Sequence, residues 1–115
     1  MNEKQNPLFV KADLLAKEAY QIAQKFPKHE MYGLTSQLRR AGLSVILNIV
    51  EGFARQSKAE FRRFLIISFG SLKETKYLLN FAKEQKYLTD KKYSEVLGMT
   101  EEVARILWSS IKSLK

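Results

Sequence analysis

Ser44, Asn48 and Glu51 bring a hydroxyl, an amide and a carboxylate into an otherwise apolar stretch, at steps of four and three residues. On a helix that spacing makes one polar row. Such a row can do acid–base chemistry or clasp one helix to another. Catalysis by Ser44 needs a base, and His29 is the sole histidine and sits in a different segment. With Asp13 and Asp90 as the only aspartates and no cysteine, neither a Ser-His-Asp arrangement nor a thiolate or histidine-rich metal site is supported. No glycine loop of the phosphate-cradling type occurs. Glu51 and Glu74 remain as a carboxylate pair of undefined separation. The residue types therefore predict no enzyme, no metal and no cofactor. In the structural reading Glu51 precedes Arg55 by four residues, the favourable order for a helical ion pair. Asn48 then fixes register, as a buried asparagine does in coiled coils, and the row Ser44–Asn48–Glu51 clasps its helix to a neighbouring helix or subunit.

The elements that must position this row are helical. Asn6-Pro7 reads as an N-cap followed by proline at the first helical position. Apolar residues recur from Leu8 through Ala12, Leu15, Ala19 and Ile22 to Phe26, at steps of three and four, and Pro27 ends the pattern. A second helix begins near Gly33 or Leu34. It carries one apolar stripe through Leu38, Ala41, Val45 and Ile49 and a second through Leu43, Leu47, Val50 and Ala54. A helix apolar on both sides is covered on both sides, so the second stripe predicts a partner subunit. Ser57 to Glu60 is a capping box opening a third helix. Gly70 lies inside that helix at a cost of ~1 kcal/mol relative to alanine, which predicts a backbone approaching it closely. Thr89 caps a fourth helix running to Leu114. Short connections make neighbours antiparallel, so the fold class is all-α: a single domain over 1–115, an up-down-up-down four-helix bundle. Residues 1–6 are expected to be disordered.

Charge bounds the partners. Lys and Arg number 20 against 12 acids, a net charge of +8, and a field of that sign favours polyanions. Antiparallel topology gathers Arg55, Lys58, Arg62 and Arg63 at one pole with Lys112 and Lys115. Lys25, Lys28, Lys83, Lys86, Lys91 and Lys92 gather at the other, with Arg39 and Arg40 nearer it. Lys58 opposes the helix dipole, and Lys58 with Arg62 is a like-charged pair four residues apart. Folding alone does not select that placement; phosphate binding does. Arg39, Arg40, Arg55, Lys58, Arg62 and Arg63 are the candidate nucleic-acid contacts. Tyr20, Tyr32, Tyr77, Tyr87 and Trp108 can stack on bases, although Tyr77 and Trp108 are expected in the core or an interface. The polar start lacks the apolar region of a signal peptide, no apolar run approaches the ~18 residues that cross a bilayer, and the absence of cysteine agrees with a cytoplasmic protein that does not engage membranes.

A central block resembles a known set. Gln37-Leu38-Arg39-Arg40-Ala41, Ser44, Asn48-Ile49, Glu51-Gly52, Arg55, Ser57, Glu60-Phe61, Phe64-Leu65 and Gly70-Ser71-Leu72 with Glu74 are similar to the bacterial four-helix-bundle family encoded in intervening sequences of 23S ribosomal RNA genes. That family includes the accessory variability determinant of diversity-generating retroelements. The likeness runs from about Phe26-Pro27 through Leu88. It implies a homopentameric ring, and for retroelement members a basic, nucleic-acid-binding accessory protein working with a reverse transcriptase on RNA or an RNA/DNA hybrid. For intervening-sequence members it implies no defined biochemical role, which leaves a protein-interaction scaffold as the alternative. One departure stands out. The family often places proline where this chain has Ile46, and Leu47 replaces a small residue, so a kink site in the second helix is lost.

Overall fold

The computed structural model describes residues 3–115 and holds four α-helices: α1 (Pro7–Gln24), α2 (Leu34–Phe53), α3 (Lys58–Glu84) and α4 (Asp90–Ser113). Each start is fixed by a local polar contact. Asn6 Oδ1 accepts from the Leu8 N–H at 2.9 Å, Ser57 Oγ from Glu60 N–H at 3.1 Å, and Thr89 Oγ1 from Lys92 N–H at 3.0 Å. The capping box at Ser57 is half formed, because the Glu60 carboxylate turns to Arg63 instead, at 3.5 Å. In the segment expected to be disordered, Glu3–Gln5 make a 3-10 turn whose end is tied by Asn6 N–H to the Glu3 carbonyl. The rest of the segment expected to be disordered, residues 1 and 2, lies outside the described residues.

Gly33 offers α2 no side-chain cap. Glu30, in a 3-10 turn over Lys28–Glu30, supplies it from outside the helix: Oε1 accepts the Leu34 N–H at 3.1 Å. A Cβ on residue 33 would sit 2.9 Å from that oxygen, so a larger residue there would push the Glu30 carboxylate aside. α2 then runs unbroken through Ile46, as the missing proline allows.

α1 packs on α2 and α4, and α3 packs on the other sides of the same two helices, giving the antiparallel four-helix bundle. Leu15, Leu38, Ile49, Leu65, Leu79, Val96 and Leu107 fill the axis. Full burial contributes about 1.5–3 kcal/mol for each such side chain. α1 comes close to α2 at Gly42, where a Cβ would stand 3.2 Å from Ala19 Cβ of α1. Gly70 has no such role within the chain, since a Cβ there meets nothing within 4 Å. The second stripe of α2 is not covered by the fold: Leu43, Leu47 and Val50 are 41, 57 and 41 % exposed. Tyr77 and Trp108 are absent from the core as well, at 64 and 51 %.

Candidate interaction surfaces

The polar row divides into two units. Ser44 Oγ meets Ser71 Oγ of α3 at 2.7 Å, while Asn48 Nδ2 donates to the Ser44 carbonyl at 2.8 Å and to Ser44 Oγ at 3.1 Å. Within the chain this is a clasp between α2 and α3. Ser68 reinforces it from the buried side, donating to the Val45 carbonyl at 2.7 Å. Glu51 takes no part; both its oxygens accept from Arg55 Nη2, at 3.1 and 3.0 Å. The Ser44–Ser71 contact also settles the carboxylate pair. Glu51 lies seven residues from it in one direction and Glu74 three in the other. At ~1.5 Å per residue the two are about 15 Å apart along the bundle, beyond the ~5–9.5 Å over which paired carboxylates share a reaction.

The six predicted nucleic-acid contacts do not form one patch. Arg39 lies over the Tyr20 ring of α1 at 4.4 Å, with Nε buried and without a hydrogen-bond partner. Arg40 donates to Gln37 at 2.6 Å and borders a cleft with Ser44, Ser71 and Glu74. Arg55 and Arg63 both stack on Phe64, at 4.7 and 4.9 Å, and both are paired with glutamates. Lys58 stands exposed in the first turn of α3. Arg62 turns the other way, donating from Nε to the Ile111 carbonyl of α4 at 3.2 Å. Sequence reasoning missed Ser71 and Ser68, and it missed the exposure of Trp108. Serine on an apolar helix face at Ser68 was the signal for the buried bond.

At the opposite pole Tyr87 joins the chain's turns. Its ring packs on Phe26 with centroids 5.5 Å apart, its hydroxyl donates to Glu30 Oε2 at 2.9 Å, and His29 Nε2 lies 3.3 Å away. The Leu34 N–H and then the Tyr87 hydroxyl hold the Glu30 carboxyl below its ordinary value, helped by His29 and opposed by burial. The same hydrogen bond to Glu30, with burial and the Glu30 charge, pushes the Tyr87 hydroxyl up. A neighbouring cavity of about 470 Å³ is lined by Glu18, Lys25, Tyr87, Thr89 and Lys92. Glu18 and Lys92 are ion-paired there, and the bond to Glu18 raises the Lys92 value. Among the described residues no cluster of three metal-ligating side chains occurs, and no helix is long and apolar enough to cross a membrane.

Four antiparallel helices, a serine–asparagine clasp between α2 and α3 and an excess of surface cations define a small basic four-helix-bundle protein. The sequence matches the 23S rRNA-intervening sequence protein family over residues 4–109, and the chain belongs to that family. The fold is similar to the crystal structure of a protein of unknown function from the S23 ribosomal protein family of Bacteroides thetaiotaomicron, with a TM-score of 0.87 and 26 % identity, covering 95 % of this chain and 98 % of that one. Comparison with curated proteins gives no match.

Proposed function

We propose that the chain is a non-enzymatic, homo-oligomeric accessory protein that binds nucleic acid through its basic surface. The observation that carries this reading is unbalanced charge: a net +8 on 115 residues, with exposed cations such as Lys58, Lys73, Arg105 and Lys112 in none of the ion pairs that occupy the acids. Self-association is supported by the line Leu43, Leu47 and Val50 on α2, beside which Ile67 of α3 is 40 % exposed. Five copies in a ring would pool a formal +40 from +8 each. In a retroelement the protein would hold template RNA or a hybrid for the reverse transcriptase.

The test is fluorescence anisotropy of the purified oligomer with RNA and DNA across salt concentration. The log–log slope is expected to follow phosphate contacts, ~0.9 for each on duplex DNA and ~0.7 on single strands. No binding at low salt eliminates the proposal. A scaffold for another protein is favoured by Met31 and Tyr32, 52 and 94 % exposed on the α1–α2 turn. That reading predicts a nuclease-resistant complex with one acidic protein.

A further inference from the structure

Within the nucleic-acid reading, on which this inference rests, we propose that the groove between α3 and α4 is a track for a single strand. On α3, Arg62, Ile66, Phe69, Lys73 and Lys76 follow at steps of four, three, four and three, so they share one line. On α4, Glu101, Arg105, Trp108 and Lys112 follow at steps of four, three and four. Three contacts set the two lines face to face. Arg62 bonds the Ile111 carbonyl at 3.2 Å. The Phe69 and Trp108 rings meet with centroids 5.8 Å apart at 44°. Lys73 and Lys76 border one cleft with Glu101. From Arg62 to Lys76 the track is ~21 Å long by helix rise.

Five cations therefore flank a single carboxylate, Glu101, and none of the five is in an ion pair among the described residues. This contrasts with the pole, where Arg55 and Arg63 already hold glutamates. Between the cations stands Trp108, half exposed, with Phe69 beneath it and Lys73 Nζ 5.4 Å from the Phe69 centroid. Charge complementarity names a polyanion as the occupant. The aromatic surface narrows it further. Unpaired bases have free faces to lay on Trp108, whereas the bases of a duplex are stacked on one another and present phosphates alone. Stacking is tolerant of base identity, so the track reads strandedness rather than sequence.

Trp108 is the only tryptophan, so its fluorescence reports the groove directly. The experiment titrates native protein, Trp108→Leu and Lys73→Glu/Lys112→Glu with a labelled twelve-residue oligothymidylate and with a duplex of equal length, following anisotropy and, in the native protein, Trp108 emission. The single strand is expected to quench Trp108. Trp108→Leu should weaken single-strand binding about tenfold and duplex binding less than twofold, and the double charge reversal should weaken both. Unchanged single-strand affinity in Trp108→Leu, or equal quenching by duplex, overturns the track while leaving general nucleic-acid binding intact. Absence of binding to either oligonucleotide by native protein overturns the track and the broader reading together. An altered sedimentation coefficient in Trp108→Leu with undiminished strand binding assigns the groove to a second copy of the chain and also overturns it. The substituted side chains are outside the core, and circular dichroism checks that each variant remains helical.

Discussion

Leu47→Asp isolates assembly from folding. Leu47 is 57 % exposed and is flanked on the same face of α2 by Leu43 and Val50. Burying a whole leucine is worth ~1.5–3 kcal/mol, so the open half of Leu47 has about 1 kcal/mol left to gain against a second copy. An aspartate in its place forfeits that gain and must also be desolvated without a partner, at an effective cost of several kcal/mol. The loss is then about 3 kcal/mol or more, which at ~1.4 kcal/mol per decade is roughly a hundredfold weaker association. The isolated bundle should scarcely respond, since Leu47 has no place in the core, and a substitution at such a surface costs about 0.5 kcal/mol. Sedimentation velocity at micromolar concentration should show the native chain as an oligomer and Leu47→Asp as a single chain with unchanged helical circular dichroism. Leu47→Asp sedimenting with the native oligomer refutes the assignment of this face. Native protein that sediments as one chain refutes the assembly itself.

Four further outcomes follow from local contacts. Lys86 is a non-glycine residue at φ 65°, closing α3 with Lys86 N–H on Lys83 and Tyr87 N–H on Ala82. Lys86→Gly relieves the left-handed backbone and should raise stability by about 1 kcal/mol, or roughly 4 °C in melting temperature. Ser68→Ala removes the buried bond to Val45 and should lower the urea-derived stability by about 1 kcal/mol. Because folding lowers the Glu30 value from 4.5, the stability linked to it is complete above that pH and is lost as pH falls through the folded value; the urea midpoint of Glu30→Gln should lie below native at pH 7, and the gap should narrow as pH falls below 4.5. Added salt between 20 and 200 mM should raise the melting temperature of the free protein, because it screens repulsion within a net charge of +8, while the same salt weakens nucleic-acid binding; a melting temperature that falls with salt would show that ion pairs outweigh that repulsion.

Helix boundaries and caps were legible because each is set by nearest neighbours. Asn6, Ser57 and Thr89 cap as their side chains predict, and Pro27 stops α1. Register across helices was not, since it depends on which pairs the packing juxtaposes. Ser44 could be seen as polar but not as the partner of Ser71, twenty-seven residues away. Gly70 misled for the same reason. Propensity marks a glycine as costly, but only the packed fold shows that Gly42 is the one pressed against α1 while Gly70 faces open space. The polar row split because a helical neighbour is nearer than any tertiary one: Arg55 claims Glu51 before another helix can. The cationic poles were legible as a tally, yet pairing with Glu51 and Glu60 neutralises Arg55 and Arg63 and leaves the unpaired charge elsewhere.

The distribution of what remains unpaired separates two surfaces that share α3. Toward α2 the exposed residues are aliphatic, Leu43, Leu47 and Val50 with Ile67, closed by the Ser44–Ser71 clasp. Toward α4 they are cationic and aromatic, Lys73, Arg105 and Lys112 around Trp108. A surface rich in unpaired cations makes a poor contact between identical chains, because like charges face each other across it and each must shed water. An aliphatic surface offers nothing to phosphate. Assembly through the α2–α3 face, as proposed above, would therefore leave the α3–α4 groove of every copy free. Closed symmetry would then repeat each groove at fixed spacing, so that strand segments bound to neighbouring copies would gain from effective concentration without any new contact.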